Sequence, residues 1–208
     1  MSYATVVPKI NAAMRDNPDT FARGLMFAIL SARQPFDRVR EMMVQVDAVG
    51  AKAKSLFGWK RGAYIYIQEH KETLWREVCA ATDTHEALLI LSRVPGLGIV
   101  KSAFVLQFLG HDIACLDTRN IQREKLNRIE YKVNKSQPKH YAAKAGQYIQ
   151  ETQGRACELW DAWCADVAKI YHMTPQECSE RHLDIVPARL WDLPTQACPI
   201  YTKQEVPF

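Results

Sequence analysis

Long apolar runs and an export signal are both missing from this sequence. No uninterrupted apolar stretch approaches the roughly 20 residues that a membrane-spanning helix needs. The first residues, Met1 to Lys9, show no charged leader followed by an apolar segment, so a secretory signal peptide is not expected. We therefore expect an intracellular, cytoplasmic protein without membrane contact.

Sustained alternation of β-branched and polar residues is also missing, and no segment repeats. Apolar residues instead recur at helical spacing, as in Val6, Ile10, Ala13 and Met14. With 208 residues, of which 48% are hydrophobic and 24% charged, the chain is long enough to bury a sizeable core. These features predict an all-α fold.

The charge excess is small. A net charge of +4 permits a polyanionic partner without requiring one. Lysine and arginine are concentrated in residues 119–147, which fits either a solvated surface or contact with nucleic acid.

The most informative stretch is a glycine turn between two apolar helical runs, Val94-Pro-Gly-Leu-Gly98. Pro95 disfavours helical geometry in the residue before it and so ends the first helix. Gly96 and Gly98 allow a tight turn and a close approach to another surface. The free N–H groups at the start of the second helix then form an anion site.

The glycine turn is followed, after one helix, by Leu116-Asp-Thr-Arg119. This combination resembles the helix-hairpin-helix DNA glycosylases of the endonuclease III type. Two softer similarities lie upstream, at Ile29-Leu-Ser-Ala-Arg-Gln34 and Gly58-Trp-Lys-Arg-Gly-Ala63. The resemblance covers roughly residues 20–130.

The resemblance implies a two-lobed helical fold with the active cleft between the lobes. Residues 20–130 would form a helical barrel lobe that contains the helix-hairpin-helix. Residues 1–19 and 131–208 would form a second helical lobe with an irregular C-terminal tail. The expected partner is double-stranded DNA with a flipped nucleotide, bound by a monomer.

The resemblance also assigns roles to residues. Asp117 would be the catalytic carboxylate that faces the deoxyribose, although an aspartate in this position can equally cap the next helix. Arg33 and Gln34 would fill the gap left by the flipped base, or would simply form a loop. The expected DNA-binding set is Arg33, Gln34, Lys60, Arg61, Gly96, Leu97, Gly98, Val100, Lys101 and Arg119.

One departure from the family concerns the lysine of its bifunctional members. That lysine stands two residues after the second glycine of the turn, where this chain has Val100. Lys101 is one step further and about 100° round the helix, so we expect it to point elsewhere. A Schiff base on the abasic sugar, and hence lyase activity, is not expected.

A second departure concerns iron–sulfur ligation. Cys157 and Cys164 match the first spacing of the family's four-cysteine pattern, but Val167 stands where the next cysteine belongs. We expect packing roles for both cysteines and no iron–sulfur cluster. The only bound ion that the resemblance allows is a monovalent cation at the glycine turn, and no other cofactor is expected.

Three functions are consistent with the sequence. The first is a monofunctional DNA glycosylase that removes a damaged or modified base. The second is a transferase like the bacteriophage proteins that hypermodify thymine in DNA, acting in the host cytoplasm without breaking the glycosidic bond. The third is a non-catalytic helix-hairpin-helix module that only binds DNA.

Overall fold

The computed structural model describes residues 3–127 and 133–187. Within these ranges the chain is helical with no β-strand, which confirms the all-α prediction. Two 3₁₀ turns, Gly50–Lys52 and Arg181–Ile185, accompany the α-helices α1 (Tyr3–Asp16), α2 (Pro18–Leu30), α3 (Phe36–Val49), α4 (Trp59–Ala80), α5 (Thr84–Leu91), α6 (Ile99–Phe108), α7 (Thr118–Arg123), α8 (Pro138–Thr152), α9 (Ala156–Ile170) and α10 (Pro175–Glu180). The predicted irregular tail, with Cys198, lies outside the described residues.

Side-chain caps set where several helices begin. Asn17 Oδ1 accepts hydrogen bonds from the backbone N–H groups of Asp19 and Thr20, and Pro18 occupies the first position of α2. Asp83 caps α5 in the same way through Glu86 N, at 2.8 Å. Each cap satisfies N–H groups that the helix itself cannot satisfy.

Helix α2 lies at the centre of the core. It packs against α1, α3, α4 and α6, and Phe21, Leu25 and Ile29 are completely buried. Helix α1 contacts α2, α6, α9 and α10, so a single continuous core runs through the described residues. The division of the chain at residues 20 and 130 stays a prediction.

The glycine turn connects α5 to α6 as the sequence predicts. Val94 and Leu97 are buried and Val94 O accepts a hydrogen bond from Leu97 N at 3.1 Å, which closes the turn. Gly96 has a φ of 84°, a left-handed conformation that glycine adopts without strain. The two buried side chains therefore anchor the turn to the core and leave Gly96 and Gly98 at its outer edge.

Candidate functional site

Two neighbouring cavities lie beside α6, the helix that follows the glycine turn. The outer cavity has a volume of about 590 Å³ and the inner one about 190 Å³. They share the wall residues Ser31, Gln34, Lys101, Asp117 and Arg119. The loop after α2, the start of α6 and the start of α7 therefore meet at one site.

Six residues expected from the sequence to contact DNA or act in catalysis line the outer cavity: Arg33, Gln34, Val100, Lys101, Asp117 and Arg119. They come from three separate parts of the chain, and only the resemblance predicted that they share a role. The fold brings them together around one opening.

Asp117 is the helix cap that one interpretation predicted. Its Oδ1 accepts hydrogen bonds from Arg119 N and Asn120 N, both at 3.0 Å, at the start of α7. Its Oδ2 accepts a hydrogen bond from Trp163 Nε1 at 2.7 Å. The carboxylate is thus held in one orientation, half-buried, in the wall between the two cavities.

The chain leading to Asp117 is fixed by the buried Tyr148 on α8. The Tyr148 hydroxyl donates to Ala114 O and accepts from Leu116 N, each at 2.8 Å. A single side chain thereby satisfies two backbone groups of a segment that has no regular structure. This anchoring sets where Asp117 enters the site.

Cys115 is held by two buried amides. Gln107 Oε1 accepts from Cys115 N at 3.3 Å, and Asn120 Nδ2 donates to Cys115 O at 2.7 Å. Cys115 lines the inner cavity, but burial raises the pKa of its thiol to about 12. The group is a neutral thiol at physiological pH and is a poor nucleophile.

Lys101 corrects one expectation. We expected it to point away from the direction of Val100, yet both residues line the outer cavity and Lys101 also lines the inner one. Lys101 Nζ donates to Ser31 Oγ at 2.8 Å and lies 5.1 Å from the centre of the Phe104 ring. The lysine side chain has four carbons and is long enough to reach the cavity although position 101 is rotated about 100° round the helix from position 100.

Lys60 corrects another expectation, because it is not available to bind a phosphate. Only 2% of the residue is exposed, and Nζ donates to Leu30 O at 3.1 Å and Ala32 O at 3.3 Å. Burial lowers the pKa of Lys60, with a smaller contribution from nearby Lys101. Lys60 caps the C-terminal end of α2 and so fixes the loop that carries Arg33 and Gln34. Its neighbour Arg61 is exposed, as a DNA contact requires.

Loss of the charge on Lys60 and loss of the charge on Arg61 should affect the stability of the protein differently. We expect Lys60→Met to lower the free energy of unfolding by about 1–3 kcal/mol, because it leaves two carbonyls without their donor. Arg61→Met removes the same charge from the surface and should change stability by less than about 0.5 kcal/mol. Urea denaturation measures both, and a fully stable Lys60→Met variant would contradict the capping role.

The two glycines of the turn differ in the space that a side chain would have. A Cβ atom on Gly96 would lie 2.0 Å from Cζ3 of Trp59, whose ring rests on the turn. Around Gly98 no atom lies within 4 Å of such a Cβ, and φ is −94°, which any residue adopts. The free protein thus requires glycine at position 96 but not at position 98.

Leu97 was expected to bind DNA, and the structure limits this role to its backbone. Its side chain is completely buried in the core, so only its backbone can contact a ligand. Helix α6 starts at the next residues without any side-chain cap. The first N–H groups of α6 therefore remain available for an anion.

Lys135 supplies a positive charge at the glycine turn. Its Nζ donates to Ser92 O and to Val94 O, the latter at 3.3 Å. Although the residue as a whole is exposed, desolvation of the ammonium lowers its pKa. A monovalent cation at these two carbonyls would lie against this ammonium, so they do not fit the ion that the resemblance allows. Lys135 belongs to the basic segment 119–147, of which residues 128–132 lie outside the described ranges.

The inner cavity has aromatic walls that the sequence did not reveal. Phe27, Phe36, Phe104, Trp160 and Trp163 line it, together with His182 from the 3₁₀ turn after α10. Trp163 and His182 belong to the second half of the chain, where the resemblance ends. The helical spacing of Trp160 and Trp163 predicted only that they share the apolar face of one helix, and His182 showed no metal-ligand spacing with the cysteines.

The cysteines divide between surface and core. Cys164 is buried beside the buried Cys178, so packing is confirmed for Cys164. Cys157 is exposed on α9, which makes the packing prediction wrong for that residue. In the described ranges, no group of three or more His, Cys, Asp or Glu side chains is arranged to hold a metal ion.

Comparison of the chain with known protein families, with curated proteins and with solved structures finds no match. Among the described helices, none combines the length and the apolar character needed to cross a membrane.

Proposed function

We propose that this protein is a DNA-binding, base-flipping enzyme with a two-lobed helix-hairpin-helix fold, and that it acts as a monofunctional DNA glycosylase. The observation that carries the proposal is that one opening, beside the start of α6, is lined by residues from three parts of the chain: Arg33, Gln34, Lys101, Asp117 and Arg119. An aromatic cavity behind that opening supports the same function, because a flipped base needs such a compartment.

In this proposal the glycine turn binds a DNA phosphate. The uncapped N–H groups at the start of α6 donate to the phosphate oxygens, and the helix dipole favours the negative charge. The open space at Gly98 allows the backbone to approach closely. Arg33, Arg61 and Arg119 add positive charge along the DNA backbone.

The inner cavity receives the flipped base, and Asp117 lies at the sugar. As the glycosidic bond breaks, its electron pair leaves with the base, and the Asp117 carboxylate stabilises the positive charge that develops on the sugar. Water then adds through its oxygen to C1′, and a proton from that water goes to the base. The Trp163 indole and the two backbone N–H groups keep the carboxylate oriented throughout.

The proposal is tested with a panel of duplex oligonucleotides, each carrying one altered base. Free base, strand cleavage and new nucleosides are detected separately. Free base without cleavage supports the monofunctional glycosylase. A covalent complex trapped by borohydride would show instead that an amine of the protein attacks the sugar. Binding without any product would favour the non-catalytic module.

The transferase alternative needs its own substrate in the same panel. A duplex with pyrophosphorylated hydroxymethyl-pyrimidine is incubated with an amine donor, and the nucleosides are analysed by mass spectrometry. An intact modified nucleoside would replace the glycosylase proposal by the transferase. Failure to bind any duplex would overturn DNA binding itself.

The contact of Lys135 with the glycine turn gives a separate prediction. We expect Lys135→Met to weaken duplex binding roughly tenfold, about 1.4 kcal/mol, in tetramethylammonium chloride. Potassium chloride at the same ionic strength should restore much of the loss, because carbonyl oxygens are good ligands for K⁺. The wild type should bind equally in both salts.

The control is Lys139→Met, which removes an equal charge from the exposed start of α8. It should show the same affinity in the two salts, since Lys139 makes no contact with the turn. An equal response of the two variants to potassium would contradict a specific role for Lys135.

A further inference from the structure

His182 is a buried histidine in the wall of the inner cavity. It is 1% exposed and lies in the 3₁₀ turn Arg181–Ile185. Its ring centre is within 4.5–6.0 Å of six other aromatic rings, those of Phe27, Phe36, Phe104, Phe108, Trp160 and Trp163. In this apolar surrounding its Nε2 has no hydrogen-bond partner among the described residues. A buried polar atom left without a partner is uncommon, and in the wall of a cavity it is available to a ligand.

The chemistry of His182 Nε2 follows from its other nitrogen. Nδ1 lies 3.1 Å from Ser179 O, and because a carbonyl can only accept, Nδ1 carries the proton. Burial lowers the pKa of His182 to about 4, so the ring is neutral near pH 7. Nε2 is consequently an unprotonated acceptor.

Two buried amides of the inner cavity, Gln107 and Asn120, already have hydrogen-bond partners. Gln107 Nε2 donates to Ala156 O at 2.9 Å while its Oε1 accepts from Cys115 N. Asn120 donates to Cys115 O and accepts from Arg123. Both amides are thus already oriented by protein partners, whereas His182 Nε2 has none among the described residues.

We propose that His182 Nε2 accepts a hydrogen bond from an N–H group on the Watson–Crick edge of the flipped base. The volume of about 190 Å³ is below the roughly 300–1,000 Å³ of sites for drug-sized ligands, so the cavity suits a single heterocycle. The ligand class is therefore a nucleobase with an imide or amino N–H on that edge. An analogue in which methyl groups replace every hydrogen on that nitrogen, called the N-methylated analogue below, is excluded. This inference rests on the proposed function, since it assumes that the cavity receives a base.

The test uses duplexes that carry each candidate base opposite an abasic site, with a tetrahydrofuran duplex as the reference without a base. We first identify the base that raises the affinity of the wild type most. A duplex with the N-methylated analogue of that base should bind the wild type at least tenfold more weakly. His182→Phe keeps the aromatic packing but lacks the acceptor. It should bind the duplex with the base and the tetrahydrofuran duplex almost equally, so that the gain in affinity from the base is lost. His182→Gln places an acceptor near Nε2 and should retain part of the gain.

His111→Phe is the matched control. His111 Nε2 is also buried without a partner, but His111 lines neither cavity. The gain from the base should be unchanged in this variant. Equal gains in wild type and His182→Phe, or equal binding of the base and its N-methylated analogue, would overturn the role of His182.

Failure of the proposed function has a different signature. In that case the wild type binds no duplex, including the tetrahydrofuran one. The cavity is then probed directly with free nucleobases and their N-methylated analogues, using the fluorescence of Trp160 and Trp163 in its wall. Quenching by the unsubstituted bases alone, lost in His182→Phe, would support the role of His182, and the absence of quenching would overturn it. If His182→Phe does not fold, the comparison of the analogues on the wild-type protein decides the question.

Discussion

Asp117→Asn is expected to lower the rate of base release by about 10²–10³-fold. The amide carries no charge to stabilise the positive sugar, and its nitrogen side cannot accept from Trp163 Nε1 as Oδ2 does. Duplex binding should fall little, because the glycine turn and the surrounding arginines are unchanged. Single-turnover release of the base from the best substrate of the panel measures the effect, and a titration with the tetrahydrofuran duplex measures binding.

Asp117→Ser separates catalysis from helix capping. Serine is a good N-cap, so the variant keeps the acceptor for the backbone N–H groups at the start of α7 and should lose little stability. It has no carboxylate and should be as inactive as Asp117→Asn. Release at the wild-type rate by Asp117→Ser would show that Asp117 is only a cap.

Trp163→Phe completes the series. It leaves the carboxylate and its two backbone hydrogen bonds in place and removes only the indole donor to Oδ2. We expect base release to fall less than in Asp117→Asn, because the charge remains while its orientation is less restricted. A loss equal to that of Asp117→Asn would indicate that orientation, and not charge, dominates.

Gly96→Ala should lower the free energy of unfolding by about 2 kcal/mol or more. The left-handed backbone at φ 84° costs a non-glycine residue about 1–2 kcal/mol, and the new Cβ would overlap the Trp59 ring. In a Trp59→Ala background the overlap disappears and only the backbone cost should remain. Urea denaturation of the wild type, the two single variants and the double variant measures both contributions. If Gly96→Ala lowers the free energy of unfolding equally with and without the Trp59 ring, Trp59 moves aside without cost.

Gly98→Ala is the matched variant and should behave in the opposite way. The added methyl group enters open space on an unstrained backbone, so stability should change by less than about 0.5 kcal/mol. Duplex binding should fall roughly tenfold, about 1.4 kcal/mol, because the methyl group occupies the space where the phosphate approaches. Unchanged binding in this variant would place the phosphate elsewhere.

Local features were predictable from the sequence. The all-α fold followed from helical spacing. The caps at Asp83 and Thr174 can be read from Asp83-x-x-Glu86 and Thr174-Pro-x-Glu177, because all the atoms involved lie within one helical turn. The glycine turn between α5 and α6 also followed, because proline and glycine restrict or free the backbone at their own positions. The resemblance added six residues that the fold brings to one opening.

Properties that depend on distant segments were not predictable. Lys60 and Arg61 look alike in sequence, yet only the packing of α4 against the end of α2 buries one and exposes the other. Lys101 reaches the cavity because the loop at Ser31 lies beside it. The sequence by itself determined the helices, their caps and the glycine turn, since these depend on neighbouring residues. Only the tertiary structure decided the orientation of Asp117 by Trp163, the contact of Lys135 with the turn and the unpartnered nitrogen of His182, because burial and hydrogen-bond partners come from residues far apart in the chain.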